Sequence, residues 1–279
     1  MAPNLLILTD FFAGANRALD YATNLAEPLG ARLVLLHVHR ASLLDPERFT
    51  GKLSNLGPED MTLALNSLTR QLAVPVVAEL GVGQVEDVVR DAVERHHPAL
   101  IVLSRPQDSP TPDELVTTTA LNLLRTSPYP LLVVPPAAPA TTPPKRVALA
   151  ADGGKFSLGA SDVDAMRHLL SALHAELTVV HVTESATRHT AQQARESVEH
   201  TGLTRDLPAV HTCHVCQAEP AEGLMDAVRE QQADLLVVIA RPHTLLGRLF
   251  HRSVTARLVL HSPVPVLVLS ATDSAKTQR

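Results

Sequence analysis

Leu5-Leu6-Ile7-Leu8-Thr9-Asp10 returns later in the chain as Val147-Ala148-Leu149-Ala150-Ala151-Asp152, a short apolar run closed by an aspartate in both places. Leu33 to Val38, ending in His37-Val38, returns in the same way as Leu177 to Val182, ending in His181-Val182; the two offsets are 142 and 144 residues. Further on, Asp91-Ala92-Val93 matches Asp226-Ala227-Val228, Arg105-Pro106 matches Arg241-Pro242, and Pro130-Leu131-Leu132-Val133-Val134 matches Pro265-Val266-Leu267-Val268-Leu269. The order of the matches is kept throughout, so the chain is one unit written twice, and the fold of one copy is the fold of both.

Between the copies runs Pro135-Pro136-Ala137-Ala138-Pro139-Ala140-Thr141-Thr142-Pro143-Pro144. Its prolines lack the amide donors that a helix or a central strand needs and favour an extended, semi-rigid path. This reading predicts a first domain over 1–135, a linker over 136–144, a second domain over 145–271 and a flexible polar tail over 272–279.

Within each copy, apolar runs of strand length alternate with longer stretches of helical period. Strands are predicted at 4–9, 32–38, 73–80, 99–104 and 130–134, and helices at 14–29, 59–72, 84–96 and 113–126. The strand runs are nearly continuous in Val, Leu and Ile, as expected for strands buried on both faces of a parallel sheet. In the first helix Ala18, Tyr21, Ala22, Leu25 and Leu29 recur on one face. The second copy repeats the scheme at 146–151, 159–174, 176–182, 190–204, 208–215, 219–232, 234–240, 246–261 and 265–269. A βαβαβαβαβ order with right-handed crossovers gives an α/β fold, a doubly wound parallel sheet with helices on both faces, in each copy.

Composition narrows the function classes. A net charge of −5, from 24 basic and 29 acidic residues, supplies no global positive field for nucleic acid or an anionic membrane, and neither partner is expected. No apolar run reaches the length of a membrane helix, and the N-terminus lacks the basic region of a secretory signal. Two cysteines, Cys213 and Cys216, cannot staple a small secreted fold, which points to a reducing cytoplasm. Aromatic residues make up 3% of the chain, leaving few stacking platforms for bases or sugars.

Thr9-Asp10-Phe11, the helix Ala18-Leu19-Asp20-Tyr21-Ala22 with Leu25-Ala26 and Leu29-Gly30-Ala31, and Leu35-Leu36-His37-Val38 resemble the opening of a universal stress protein domain. Pro130 to Val134 and Ser262-Pro263-Val264-Pro265-Val266-Leu267-Val268 resemble that family's closing strand, so the likeness covers both copies. The resemblance implies two tandem five-stranded parallel sheets of order 3-2-1-4-5, adenine nucleotide alpha hydrolase-like, with pairing through the last strand. A ligand in such a fold sits beyond the carboxyl ends of the strands, where the strand order reverses between the first and fourth.

In the members of the family that bind ATP, an aspartate after strand one and a residue at the end of strand two receive adenosine. A Gly-x-x-Gly loop after strand four, followed nine residues later by Gly-Ser or Gly-Thr, cradles the phosphates. A side chain at such a close-approach position keeps phosphate from backbone N–H groups. The first copy has Ser104-Arg105-Pro106-Gln107-Asp108-Ser109-Pro110 there and Thr117-Thr118 at the Gly-Ser position; the second has Ile239-Ala240-Arg241-Pro242-His243 and then Arg252-Ser253. The glycines are missing from both copies. What the resemblance leaves as candidate ligand-binding residues is Asp10, Val38, Ser104 and Thr118 in the first copy, and Asp152, Val182, Ala240, Arg241, Arg252 and Ser253 in the second.

Other features admit plainer readings. Asp10 and Asp152 serve either as polar anchors of a ligand or as turn and cap residues, and the sequence leaves both open. His37 and His181 fall at equivalent places in buried runs and read as paired core histidines. Arg241, His243, Arg248, His251 and Arg252 form a local basic cluster, either an anion site without glycines or a solvated helix face. Asp152-Gly153-Gly154-Lys155 reads as a tight turn or a weak anion loop. His211-Thr212-Cys213-His214-Val215-Cys216 has the look of a metal motif, but on a strand Cys213 and Cys216 point to opposite faces, leaving two-ligand sets short of the four zinc takes. No metal is expected.

Neither a nucleophile elbow, nor a Walker-type loop, nor His-Glu-x-x-His is present, so catalysis has no sequence support. The reading is a non-enzymatic stress-response module that works by binding or interaction, without standard ATP binding. The alternative is a nucleotide-binding, slowly hydrolysing protein using arginines of the second copy, with ATP or another adenine nucleotide as the ligand. A bare apolar last strand invites aggregation, and the ten-residue linker reaches about 31 Å if extended. The two copies are therefore expected to pair within the chain as a pseudo-dimer, with homodimerisation and an unnamed protein partner left open.

Overall fold

The structure, a computed structural model, describes residues 2–9, 13–39, 57–70, 72–105, 122–123, 129–139, 142–184, 188–241 and 254–272. The first half contains β1 (Asn4–Thr9), α1 (Ala13–Leu29), β2 (Arg32–His39), α2 (Pro58–Thr69), β3 (Val76–Val82), α3 (Val85–His96), β4 (Leu100–Ser104) and β5 (Leu131–Val134). The second contains β6 (Arg146–Ala150), β7 (Ser157–Leu158), α4 (Ala160–Leu173), β8 (Glu176–Thr183), α5 (Arg188–His200), β9 (Val210–Cys216), α6 (Pro220–Glu230), β10 (Leu235–Ala240), α7 (Val254–His261) and β11 (Val266–Thr272). The predicted helix at 113–126 lies outside the described residues except for Asn122 and Leu123, as does the start of the one predicted at 246–261.

The strands line up as β3-β2-β1-β4-β5-β11-β10-β6-β8-β9. Each half is parallel and follows the order 3-2-1-4-5, and the two halves meet in one antiparallel seam, Leu131↔Val268, Leu132↔Leu267 and Val133↔Val266. Leu132 and Leu267 are equivalent in the repeat and face each other, so the register itself places a pseudo-two-fold axis through that pair. Neither last strand is an edge: β4 and β10 flank the seam on its outer sides.

Alternation along the strands splits the core into two layers. Leu5, Ile7, Leu33, Leu35, Leu132, Val147, Leu177 and Leu267 point to one face, under α1, α2, α4 and α5. Leu6, Val34, Ile101, Leu131, Ala148, Val180, Val266 and Val268 point to the other, under α3, α6 and α7. Both layers run unbroken through the seam, and α1 packs against α4 across it.

Helix ends follow local rules that also hold between the copies. Gly30, at φ 57°, closes α1, with the Ala31 amide donating to Ala26 O at 2.9 Å. His174 takes the same left-handed position after α4 at φ 49°, with the Ala175 amide donating to Leu170 O at 3.0 Å.

Several element ends depart from the expected ones, α2 ending at Thr69 and α5 at His200 among them, and two departures have a local cause. β3 begins at Val76 rather than at 73, after Pro75, whose carbonyl accepts from the Leu33 amide but which has no donor to extend the ladder. β11 runs to Thr272 rather than ending at 269, because the additional short strand β7 pairs antiparallel with it, Leu158↔Ala271 and Ser157↔Thr272.

Candidate functional site

The strand order reverses between β1 and β4 in the first half and between β6 and β10 in the second, so the crevices open at the carboxyl ends of those strands. In the second half the chain leaves β6 at Ala150 and turns at Gly153, φ 80°. Asp152 makes this turn with its own side chain, Oδ1 accepting from the Gly154 amide at 2.9 Å.

Arg241 crosses to this turn from the end of β10. Its Nη2 donates to Asp152 Oδ1 at 2.7 Å and to the Gly154 carbonyl at 2.9 Å, and its Nη1 to the Lys155 carbonyl at 3.2 Å. The contact is close enough that a Cβ on Gly154 would lie 2.8 Å from Arg241 Nη2. Gly154 is therefore where a guanidinium, rather than a phosphate, approaches the backbone. One side chain spans the mouth of the crevice from the fourth strand of the half to the loop after the first.

The other candidates of this half take apolar places. Ala240 is buried in the core at the end of β10. Val182, near the end of β8, packs against α6, where a Cβ on Gly223 would stand 2.6 Å from Val182 Cγ1. Arg252 and Ser253, together with His243, Arg248 and His251 of the basic cluster, lie outside the described residues.

In the first half, Val38 is half-buried on β2 opposite Gly81 of β3, and Ser104 is half-buried at the end of β4 opposite Val134. Asp10 and Thr118 lie outside the described residues. Arg105, the repeat partner of Arg241, turns toward the seam: its amide donates to Val134 O at 2.7 Å and its Nη1 to the Ser262 carbonyl of the second half at 2.8 Å. Burial in this position pulls the Arg105 guanidinium below its ordinary pKa.

The paired histidines behave alike. His37 Nδ1 lies 2.8 Å from Thr9 O and His181 Nδ1 lies 2.8 Å from Ala151 O. A carbonyl only accepts, so each ring carries its proton on Nδ1 and ties the second strand of its half to the end of the first. Cys213 and Cys216 lie on β9, with Cys213 packed on the α6 face and Cys216 exposed and donating to the Glu184 carbonyl at 3.3 Å. Burial, then the charge of Glu230, pushes the Cys213 thiol up. Among the described residues no group of three or more His, Cys, Asp or Glu is arranged to hold a metal ion, and no helix is long and apolar enough to cross a membrane.

A doubly wound sheet repeated in tandem, with its crevice at the reversal of strand order, defines an adenine nucleotide alpha hydrolase-like α/β protein. The model of the universal stress protein family matches residues 1–135 and 144–270, and the chain belongs to that family. Among solved structures, a universal stress protein from Archaeoglobus fulgidus DSM 4304 is 17% identical, with a TM-score of 0.67 over 96% of this chain and 98% of that one. A protein from Pseudomonas aeruginosa UCBPP-PA14 assigned to the same family is 17% identical, with a TM-score of 0.59 over 97% and 94%. The cytoplasmic domain of a prokaryotic cation chloride cotransporter shares the fold at 13% identity, with a TM-score of 0.55 over 99% and 97%. No curated protein matches the chain in sequence.

Proposed function

We propose that this universal stress protein is a non-enzymatic binding or interaction module of the stress response, located in the cytoplasm, and that its second crevice does not take ATP in the manner of the family. The observation that carries this reading is the Arg241 bridge. The Asp152 carboxylate that would meet adenosine already accepts from the Gly154 amide and from Arg241. The guanidinium lies over the two carbonyls, of Gly154 and Lys155, where a close-approach loop would leave space for a ligand. A nucleotide entering there would have to break a charge-assisted contact and leave Arg241 to find new partners. The missing glycines after β4 and β10 point the same way, since those are the positions at which phosphate needs bare backbone.

The test is isothermal titration of the purified chain with ATP and magnesium. The expected result is no saturable heat at micromolar protein in the wild type. Saturable micromolar binding by the wild type would overturn the reading in favour of a nucleotide-binding protein that uses arginine in place of the glycine loop.

A further inference from the structure

At the end of the sheet opposite the crevices, where the strands of the second half begin, a cleft of about 500 Å³ lies between the two halves and under the linker. Its walls come from three sources: Tyr21 of α1, the linker prolines Pro143 and Pro144, and the first residues of the second half, among them Lys145, Arg146, Glu176 and Asp234. Neither copy alone contains it. The volume is that of a small-molecule pocket.

Three polar groups on this cleft have donors or acceptors that the described residues do not use: the buried Tyr21 hydroxyl, and the exposed Lys145 ammonium and Glu176 carboxylate. Tyr21 is 1% exposed, and its buried hydroxyl has no hydrogen-bond partner among the described residues, whereas a buried phenol ordinarily finds one. Burial, then the charge of Asp234, pushes the Tyr21 phenol well above its ordinary pKa, so the hydroxyl keeps its proton and is available as a donor. Asp234 itself is engaged: Oδ2 accepts from the Lys145 and Arg146 amides, both at 2.9 Å, and Oδ1 lies 3.5 Å from Arg146 Nη2. Lys145 Nζ donates to the Leu173 carbonyl at 2.8 Å, which uses one of the three N–H donors of an ammonium. Glu176, at the start of β8, lines the cleft with a carboxylate that has no ion-pair partner among the described residues.

A simple anion here would face Glu176 and Asp234, and a simple cation would face Lys145 and Arg146. One molecule carrying both charges complements both exposed charges and the buried hydroxyl, its carboxylate accepting from the Tyr21 hydroxyl and the Lys145 ammonium and its own ammonium pairing with Glu176. The rings of Pro139 and Pro143 supply apolar wall for a side chain. We infer that the cleft under the linker is a binding site for a small zwitterion, an α-amino acid with an apolar side chain.

The experiment is thermal denaturation and isothermal titration of the full chain with leucine and with phenylalanine. Isocaproate and hydrocinnamate, which lack the ammonium, and isoamylamine and phenethylamine, which lack the carboxylate, are the controls. At least one amino acid should give saturable heat and raise Tm by several degrees, since a ligand bound only by the folded state stabilises it, while none of the controls should. Tyr21→Phe should fold with an unchanged or higher Tm when free of ligand, because it removes an unpaired buried hydroxyl, and should bind about tenfold to a hundredfold more weakly. Glu176→Gln should lose the preference for the amino acid over the ammonium-free control, and Arg241→Ala, in the crevice at the other end of the sheet, should bind as the wild type does.

The proposal is overturned if neither amino acid shifts Tm or gives saturable heat, if the single-charge controls match them in the wild type, or if Tyr21→Phe binds undiminished. A lower ligand-free Tm for Tyr21→Phe would also overturn it, by showing that the hydroxyl already has a partner.

Discussion

Arg105 and Arg241 follow the fourth strand of their halves, each within an Arg-Pro pair, yet they do different things. Arg241 is a third exposed and bridges a loop beside Asp152, itself 65% exposed. Arg105 is drawn into the seam and gives a charged donor to the carbonyl of Ser262, a residue with no exposed surface. Exposed ion pairs contribute roughly 0–1 kcal/mol, whereas leaving a buried carbonyl without its donor costs about 1–3 kcal/mol. In urea denaturation Arg105→Ala should therefore lose more stability than Arg241→Ala, and equal losses would contradict the assignment of different roles. The repeat showed that the two arginines correspond but could not show this divergence. The Arg105 contact joins residues 157 apart in sequence and exists only because the seam brings the segment between α7 and β11 near the end of β4. Asp152 was ambiguous for a related reason: a turn residue and a ligand anchor look the same until the partner of the carboxylate is known.

At the scale of elements, strands and helices were readable because buried parallel strands are written as continuous Val, Leu and Ile runs and their helices as amphipathic stretches. What was not readable depended on neighbours. β7 is a two-residue strand with no pattern of its own, and it forms because β11 offers Ala271 and Thr272 beyond the seam. Gly223 is another case. Glycine inside a helix costs about 1 kcal/mol relative to alanine, so Gly223→Ala in α6 would ordinarily stabilise. Here the new Cβ would stand 2.6 Å from Val182 Cγ1 and 3.0 Å from Gln217 Cβ. Gly223→Ala should instead destabilise by about 1–3 kcal/mol through overpacking, and adding Val182→Ala should return part of the loss. Thermal denaturation of the single and double variants measures this. A Gly223→Ala protein more stable than the wild type would show that Val182 does not hold the helix at this distance.

For the whole molecule, the seam is the organising feature: it turns two apolar last strands into the centre of one sheet and makes both core layers continuous between the copies. Intrachain pairing was legible from the sequence because an exposed apolar edge needs a cover and the linker is long enough to supply one from the same chain. The cleft beneath the linker was not, since it is made of residues that no local pattern connects. Leu267→Pro removes an amide from the strand at the middle of the sheet, beside both Leu132 and Val237. Light scattering of that variant should show aggregation, and a monodisperse, folded Leu267→Pro chain would mean that the seam is dispensable. The most direct measurement of the functional account is the nucleotide content of the chain purified without added ligand, read by mass spectrometry after acid extraction. The account predicts adenine nucleotide far below one per chain; a stoichiometric amount of ATP released from the native protein would contradict it.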